Sequence, residues 1–113
     1  MPFNFDSETS SEDCPVEFAV GLIGGKWKPV LLFHLMVGAK RYSELQRLVS
    51  YASDRMLTRS LRELEADGLV HREVFPEVPV RVEYSLTHDG ETLYPILAEM
   101  SRWGTQRQQA LAS

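Results

Sequence analysis

Apolar residues along this chain recur at two spacings, and the change of spacing divides it. Up to about residue 66 they return every three or four positions, as along one side of a helix. In "PVEFAVGLIGG", Pro15 suits a first helical position, which leaves Cys14 or Asp13 as the N-cap. Phe18, Leu22 and Ile23 keep helical spacing until Gly24–Gly25 stop the run. "KPVLLFHLMV" is apolar almost all round, with Pro29 in its first turn and Gly38 at its end, which predicts a buried central helix. "YSELQRLVS" predicts a third helix, with Ser43 and Gln46 at capping-box spacing and Leu45, Leu48 and Val49 facing inward. In "SDRMLTRSLRELEADG", Ser53 caps a fourth helix, Met56, Leu57, Leu61 and Leu64 form its apolar side, and Gly68 ends it.

Beyond Gly68 the period becomes two. "LVHREVF" and "VRVEYSL" alternate apolar with polar residues around the stiff connection "PEVP", which predicts a hairpin. Thr87 then caps a last helix with Leu93, Ile96, Leu97, Met100 and Trp103 on its apolar side and a kink at Pro95. Residues 1–12 are acidic and serine-rich, with few large apolar groups, and are expected to be flexible. The expected architecture is one α+β domain over residues 13–113. Its third and fourth helices form a helix-turn-helix, followed by a two-stranded β-hairpin wing and a kinked C-terminal helix.

Composition narrows the class. A chain of 113 residues with 43% hydrophobic and 25% charged residues is a single globular domain able to bury its own core. The longest apolar run, "VLLFHLMV", is far short of the roughly 18 residues that suggest a membrane span, and the acidic start is unlike a signal peptide. A cytoplasmic protein is expected. A single cysteine excludes an internal disulfide and a multi-cysteine metal site, and no histidine or carboxylate pair has metal-ligand or acid–base spacing. His34 lies on the most apolar helix and reads as a packed residue rather than a ligand. No phosphate-cradling glycine loop is present, and neither an enzyme nor a cofactor or metal is expected.

The net charge of −4 argues at first against a polyanionic partner, but its distribution argues for one. Residues 1–17 carry five acids and no Lys or Arg, whereas residues 40–62 carry six Lys/Arg against Glu44 and Asp54. A basic block within an acidic chain makes a local field. On the fourth helix Arg55, Arg59 and Arg62 are three or four residues apart and share the side opposite the leucines. The second helix of a helix-turn-helix enters the major groove, where arginine pairs with guanine O6 and N7 or grips phosphate. Ser53, Asp54 and Thr58 add short hydrogen-bonding groups. Lys40, Arg41 and Ser43, with Lys26 and Lys28, are candidate phosphate contacts, and Arg81 is a candidate contact from the wing. Arg59 and Glu63 form an i,i+4 pair.

Residues 14–104 resemble the HxlR-type winged helix regulators of bacteria, relatives of the MarR-like group. "CPVE", "GGKWKP", "RYSEL", "LTRSLRELEADGLV", "VPVRVEYSLT" and "RWG" carry the resemblance in this order. It implies a homodimeric transcription factor on a pseudopalindromic operator of duplex DNA, with a dimer interface built from the first and last helices. Phe18, Leu22, Leu93, Leu97, Met100 and Trp103 are the interface candidates, and they are more apolar surface than one small domain readily covers. The family commonly has glycine in the turn before the recognition helix, where this chain has Tyr51, a residue that tolerates left-handed backbone poorly. Family members with a cysteine at the position of Cys14 include thiol-based sensors, which makes Cys14 the candidate redox sensor here. The positive end of a helix favours a reactive thiolate, and the nearby Glu12, Asp13 and Glu17 oppose it.

The reading that results is a dimeric, cytoplasmic DNA-binding repressor, acting by steric block and controlled by oxidation or modification of Cys14. The alternatives are a winged-helix protein-interaction module without DNA, and a regulator controlled by a small ligand instead of a thiol.

Overall fold

Leu31, Leu32, Leu45 and Leu64 have no exposed surface and mark the centre around which three helices and the start of the wing converge. The structure is a computed structural model that describes residues 14–113; the N-terminal segment 1–12 and Asp13 lie outside the described residues. The order is α1 (Pro15–Ile23), α2 (Lys28–Leu35), β1 (Lys40–Arg41), α3 (Tyr42–Leu48), α4 (Asp54–Ala66), β2 (Val70–Phe75), β3 (Arg81–Leu86), α5 (His88–Glu91) and α6 (Tyr94–Ala112). Trp27, Leu35, Val49, Leu57, Leu61, Leu69, Val70 and Leu97 complete the core. This is the α+β winged helix-turn-helix read from the sequence.

The helix boundaries follow their caps. Cys14 is the N-cap of α1 and Pro15 its first residue. At α4 the Ser53 hydroxyl accepts from the Met56 amide at 3.2 Å, satisfying a donor the helix itself leaves open. Gly68, at φ +76°, takes the left-handed conformation that ends α4 and turns the chain into β2. Ser43 does not cap α3. Arg41 is the N-cap there, and its amide donates to Glu44 Oε1 at 2.8 Å, so Ser43 is the second helical residue. Tyr51 adopts no left-handed backbone, since no non-glycine residue among those described has positive φ. The turn is therefore built without the geometry that tyrosine resists.

Two apolar residues expected inside stay partly exposed. Leu45 and Val49 of the α3 segment are four apart and share the inward line, whereas Leu48 falls beside it and keeps 43% of its surface. Met56 precedes Leu57 by one position, about 100° round the helix, and keeps 40%.

The wing has one more strand than expected. β2 and β3 pair antiparallel from Val70↔Leu86 to Phe75↔Arg81, and the two-residue β1 pairs with the other edge of β3 through Lys40↔Tyr84 and Arg41↔Glu83. The sheet order is β1-β3-β2, which ties the start of α3 to the wing. Thr87 joins wing to helices: its hydroxyl donates to Gly68 O at 2.6 Å and accepts from the Gly90 amide at 3.0 Å. A Cβ at Gly90 would lie 2.2 Å from Leu69 O, so this junction admits no larger residue. The single last helix expected from Thr87 with a kink at Pro95 is two helices, α5 and α6, broken at Thr92–Leu93. Pro95 then sits in the first turn of α6, where its missing amide proton is not needed.

Candidate nucleic-acid interface

The recognition helix α4 buries Leu57, Ser60, Leu61 and Leu64 and turns Arg55, Arg59 and Arg62 to solvent. Together with Asp54, Thr58 and Glu63 these arginines line one open groove along its outer face. By sequence the helix is neutral, with Asp54, Glu63 and Glu65 against three arginines. Its acids are drawn to other elements, however. Asp54 Oδ1 accepts from Gln46 Nε2 of α3 at 2.5 Å. Glu63 Oε1 meets Lys28 Nζ of α2 at 2.8 Å, and Glu65 Oε1 meets Arg72 Nε of β2 at 3.4 Å. The hydrogen bonds from Lys28 and then Arg59 hold the Glu63 carboxyl below the usual carboxylate range. Among the described residues Arg55 and Arg62 have no acidic partner within 4 Å, and Arg59 makes a 3.3 Å pair with Glu63 Oε2 while staying 71% exposed.

Thr58 has an internal role as well. The Tyr42 hydroxyl of α3 lies 3.2 Å from Thr58 Oγ1 and donates to the Asp54 carbonyl at 3.4 Å. Tyr42 and Gln46 thus fix the angle between the two helices of the helix-turn-helix. Sequence reasoning passed over Tyr42 and gave Gln46 a capping-box role with Ser43, although their i,i+4 spacing puts Tyr42 and Gln46 on one side of α3.

Arg41 and Ser43, at the start of α3, line a second groove whose other wall is the wing from Glu77 to Val82. The β1–β3 pairing brings them there. Lys40, beside them on β1, is half-buried. Arg81 is not a free cation. It donates through Nη2 to Glu77 Oε2 at 2.8 Å and through Nη1 to Glu83, and its guanidinium lies 3.7 Å from the Phe75 ring centroid. These bonds, Glu77 first, raise the Arg81 pKa above its ordinary value. Lys28 is likewise committed, at 14% side-chain exposure, to Glu63, and so is withdrawn from the phosphate candidates. Lys26 stays exposed, its ammonium 4.9 Å from the Trp27 ring centroid. His34 is half-buried, and burial, with Lys40 nearby, lowers its pKa.

α1 buries none of its residues, and Val16, Phe18 and Val20 are exposed. On α6 Ile96, Met100 and Trp103 are exposed too. Leu22 and Leu93 are partly buried against the core. Leu97, at 3% exposure, is a correction: it belongs to the core of its own chain and has no surface left for a partner. Cys14 is a half-buried free thiol at the N-cap of α1 and makes no capping hydrogen bond through its side chain.

Known proteins with this arrangement regulate transcription. The family described as HxlR-like helix-turn-helix matches residues 22–111. The HTH-type transcriptional regulator YybR of Bacillus subtilis (strain 168) is 52% identical over 104 residues, spanning 92% of this chain and 83% of its own length. The structure of the redox regulator HypR in its oxidized form superimposes with a TM-score of 0.80 at 55% identity, covering 82% of this chain and 96% of that one. The reduced form of the transcriptional regulator YodB from B. subtilis gives a TM-score of 0.71 at 38% identity, over 82% of this chain and 92% of that one.

Proposed function

The chain belongs to the HxlR-like helix-turn-helix family, whose members are DNA-binding transcriptional regulators and not enzymes, and we propose that it works as a homodimeric, cytoplasmic repressor on a pseudopalindromic operator. The observation that carries this is the outer face of α4, where Arg55, Arg59 and Arg62 are exposed, Arg55 and Arg62 without acidic partners among the described residues, on a helix whose other face is buried. Arg55, Thr58 and Arg59 read base edges in the major groove, with Ser53, Asp54 and Arg62 flanking them. Lys40, Arg41, Ser43 and Lys26 hold phosphates. Arg81 is the weakest contact, because it must first leave Glu77 or Glu83.

The partner is a second copy, docked through α1 and α6. Phe18, Met100 and Trp103, exposed at 67, 50 and 67%, supply its apolar centre, with Leu22 and Leu93 at the edge. Two-fold symmetry sets the recognition helices about one DNA turn, ~34 Å, or a multiple of it apart. Oxidation or modification of Cys14 changes DNA affinity through α1, to which Cys14 is the N-cap. The name of HypR, a redox regulator at 55% identity, supports that reading.

Selection of bound sequences from random duplex DNA tests this function. Wild-type protein recovers a pseudopalindrome, and oxidant changes the recovery for wild type but not for Cys14→Ser. Recovery of no sequence removes the DNA reading, recovery of an asymmetric half-site by a light-scattering monomer removes the dimer, and equal oxidant responses remove the sensor.

A further inference from the structure

The three arginines of α4 are not equivalent. We propose that Glu63 is a positioning residue: anchored to the body of the protein by Lys28, it aims the Arg59 guanidinium at one base pair of the operator. The inference rests on the reading that the outer face of α4 meets base edges.

Glu63 lies one turn beyond Arg59, and its two oxygens are divided between two cations. Oε1 takes the Lys28 ammonium at 2.8 Å, and Oε2 takes Arg59 Nε at 3.3 Å. Lys28 opens α2 beside the buried Trp27 and is itself mostly covered, so the carboxylate is fixed to a rigid part of the fold. Arg59 reaches outward from that point. With Nε engaged, both terminal nitrogens are left to donate side by side, which is the fork that matches O6 and N7 of guanine. An arginine already held in its reading geometry loses less freedom on binding than a free one. Arg62 has no such anchor among the described residues. A mobile cation suits a phosphate, which accepts many approach angles, better than a base edge, which accepts few.

Glu63 also places a negative charge beside DNA, which weakens binding to every sequence alike. Lys28 and Arg59 partly cover that charge. Such a residue gives up general affinity and gains discrimination, a pairing of effects that a purely structural role does not produce.

Wild type, Glu63→Gln and Arg59→Ala are titrated with the selected operator, with the operator altered one base pair at a time, and with random duplex. Glu63→Gln binds random duplex at least as tightly as wild type. It loses roughly three- to tenfold of discrimination, part of what a bidentate pair supplies, at the same base pair where Arg59→Ala loses most. Lys28→Gln, which frees the carboxylate from α2, shows a smaller loss at that base pair. Thermal melts of all variants show folded protein. A uniform loss of affinity in Glu63→Gln, with the base profile intact, overturns the positioning role while Arg59 still reads its base. An unchanged profile in Arg59→Ala overturns the base-reading premise, and this inference with it.

Discussion

The recognition helix and the wing each carry arginines, and the two regions use them in opposite ways. On α4 Asp54 accepts from Gln46, Glu65 pairs with Arg72 and Glu63 is shared between Lys28 and Arg59, so that Arg55 and Arg62 are left without acidic partners among the described residues. On the wing Glu77 and Glu83 converge on Arg81 itself, which lies over Phe75 with its side chain 21% exposed. Counting arginines therefore says little about where a polyanion is met. What decides is whether nearby carboxylates are drawn to the arginine or elsewhere, and the tertiary structure sets that.

The contrast breaks most severely from within α4. Leu61→Ala removes a fully buried side chain that holds the helix to the core, and costs about 2–5 kcal/mol of stability, read as a shifted denaturant midpoint. Arg62→Ala leaves the fold intact and weakens binding to all duplexes alike, lowering the slope of log affinity against log salt by roughly one. Arg81→Ala has the smallest effect on DNA, with a fall in affinity below that of Arg62→Ala and a smaller change of slope. Equal losses in Arg62→Ala and Arg81→Ala would show that the wing arginine exchanges its carboxylates for phosphate as readily as a free one, and the contrast between the regions would fail.

Local chemistry made much of this readable in the sequence. Ser53 as a cap, Gly68 as a helix end and Pro15 as a first residue are each set by their immediate neighbours, as is the i,i+4 pair of Arg59 and Glu63. What escaped depended on residues far apart in the chain. Lys28 and Glu63 meet only because α2 packs on α4. The strand at Lys40–Arg41 is two residues long and exists through its pairing with Tyr84 and Glu83. Arg81 is a nearer miss: once the hairpin register places it opposite Phe75, with Glu77 and Glu83 close in sequence, its clamp follows from strand geometry. Leu48 and Met56 show the limit of periodicity, since a helix face has edges and residues there are only partly covered.

The claim beneath all of this is that a formally neutral helix meets DNA as a cation because Glu63 and Glu65 are paired with Lys28 and Arg72 of other elements, while Arg55 and Arg62 have no acidic partner among the described residues. The most direct measurement is the salt dependence of duplex binding for wild type and for Arg55→Ala/Arg62→Ala. The account predicts a steep slope for wild type, made shallower by at least about one in the double variant. A double variant with the wild-type slope would contradict it.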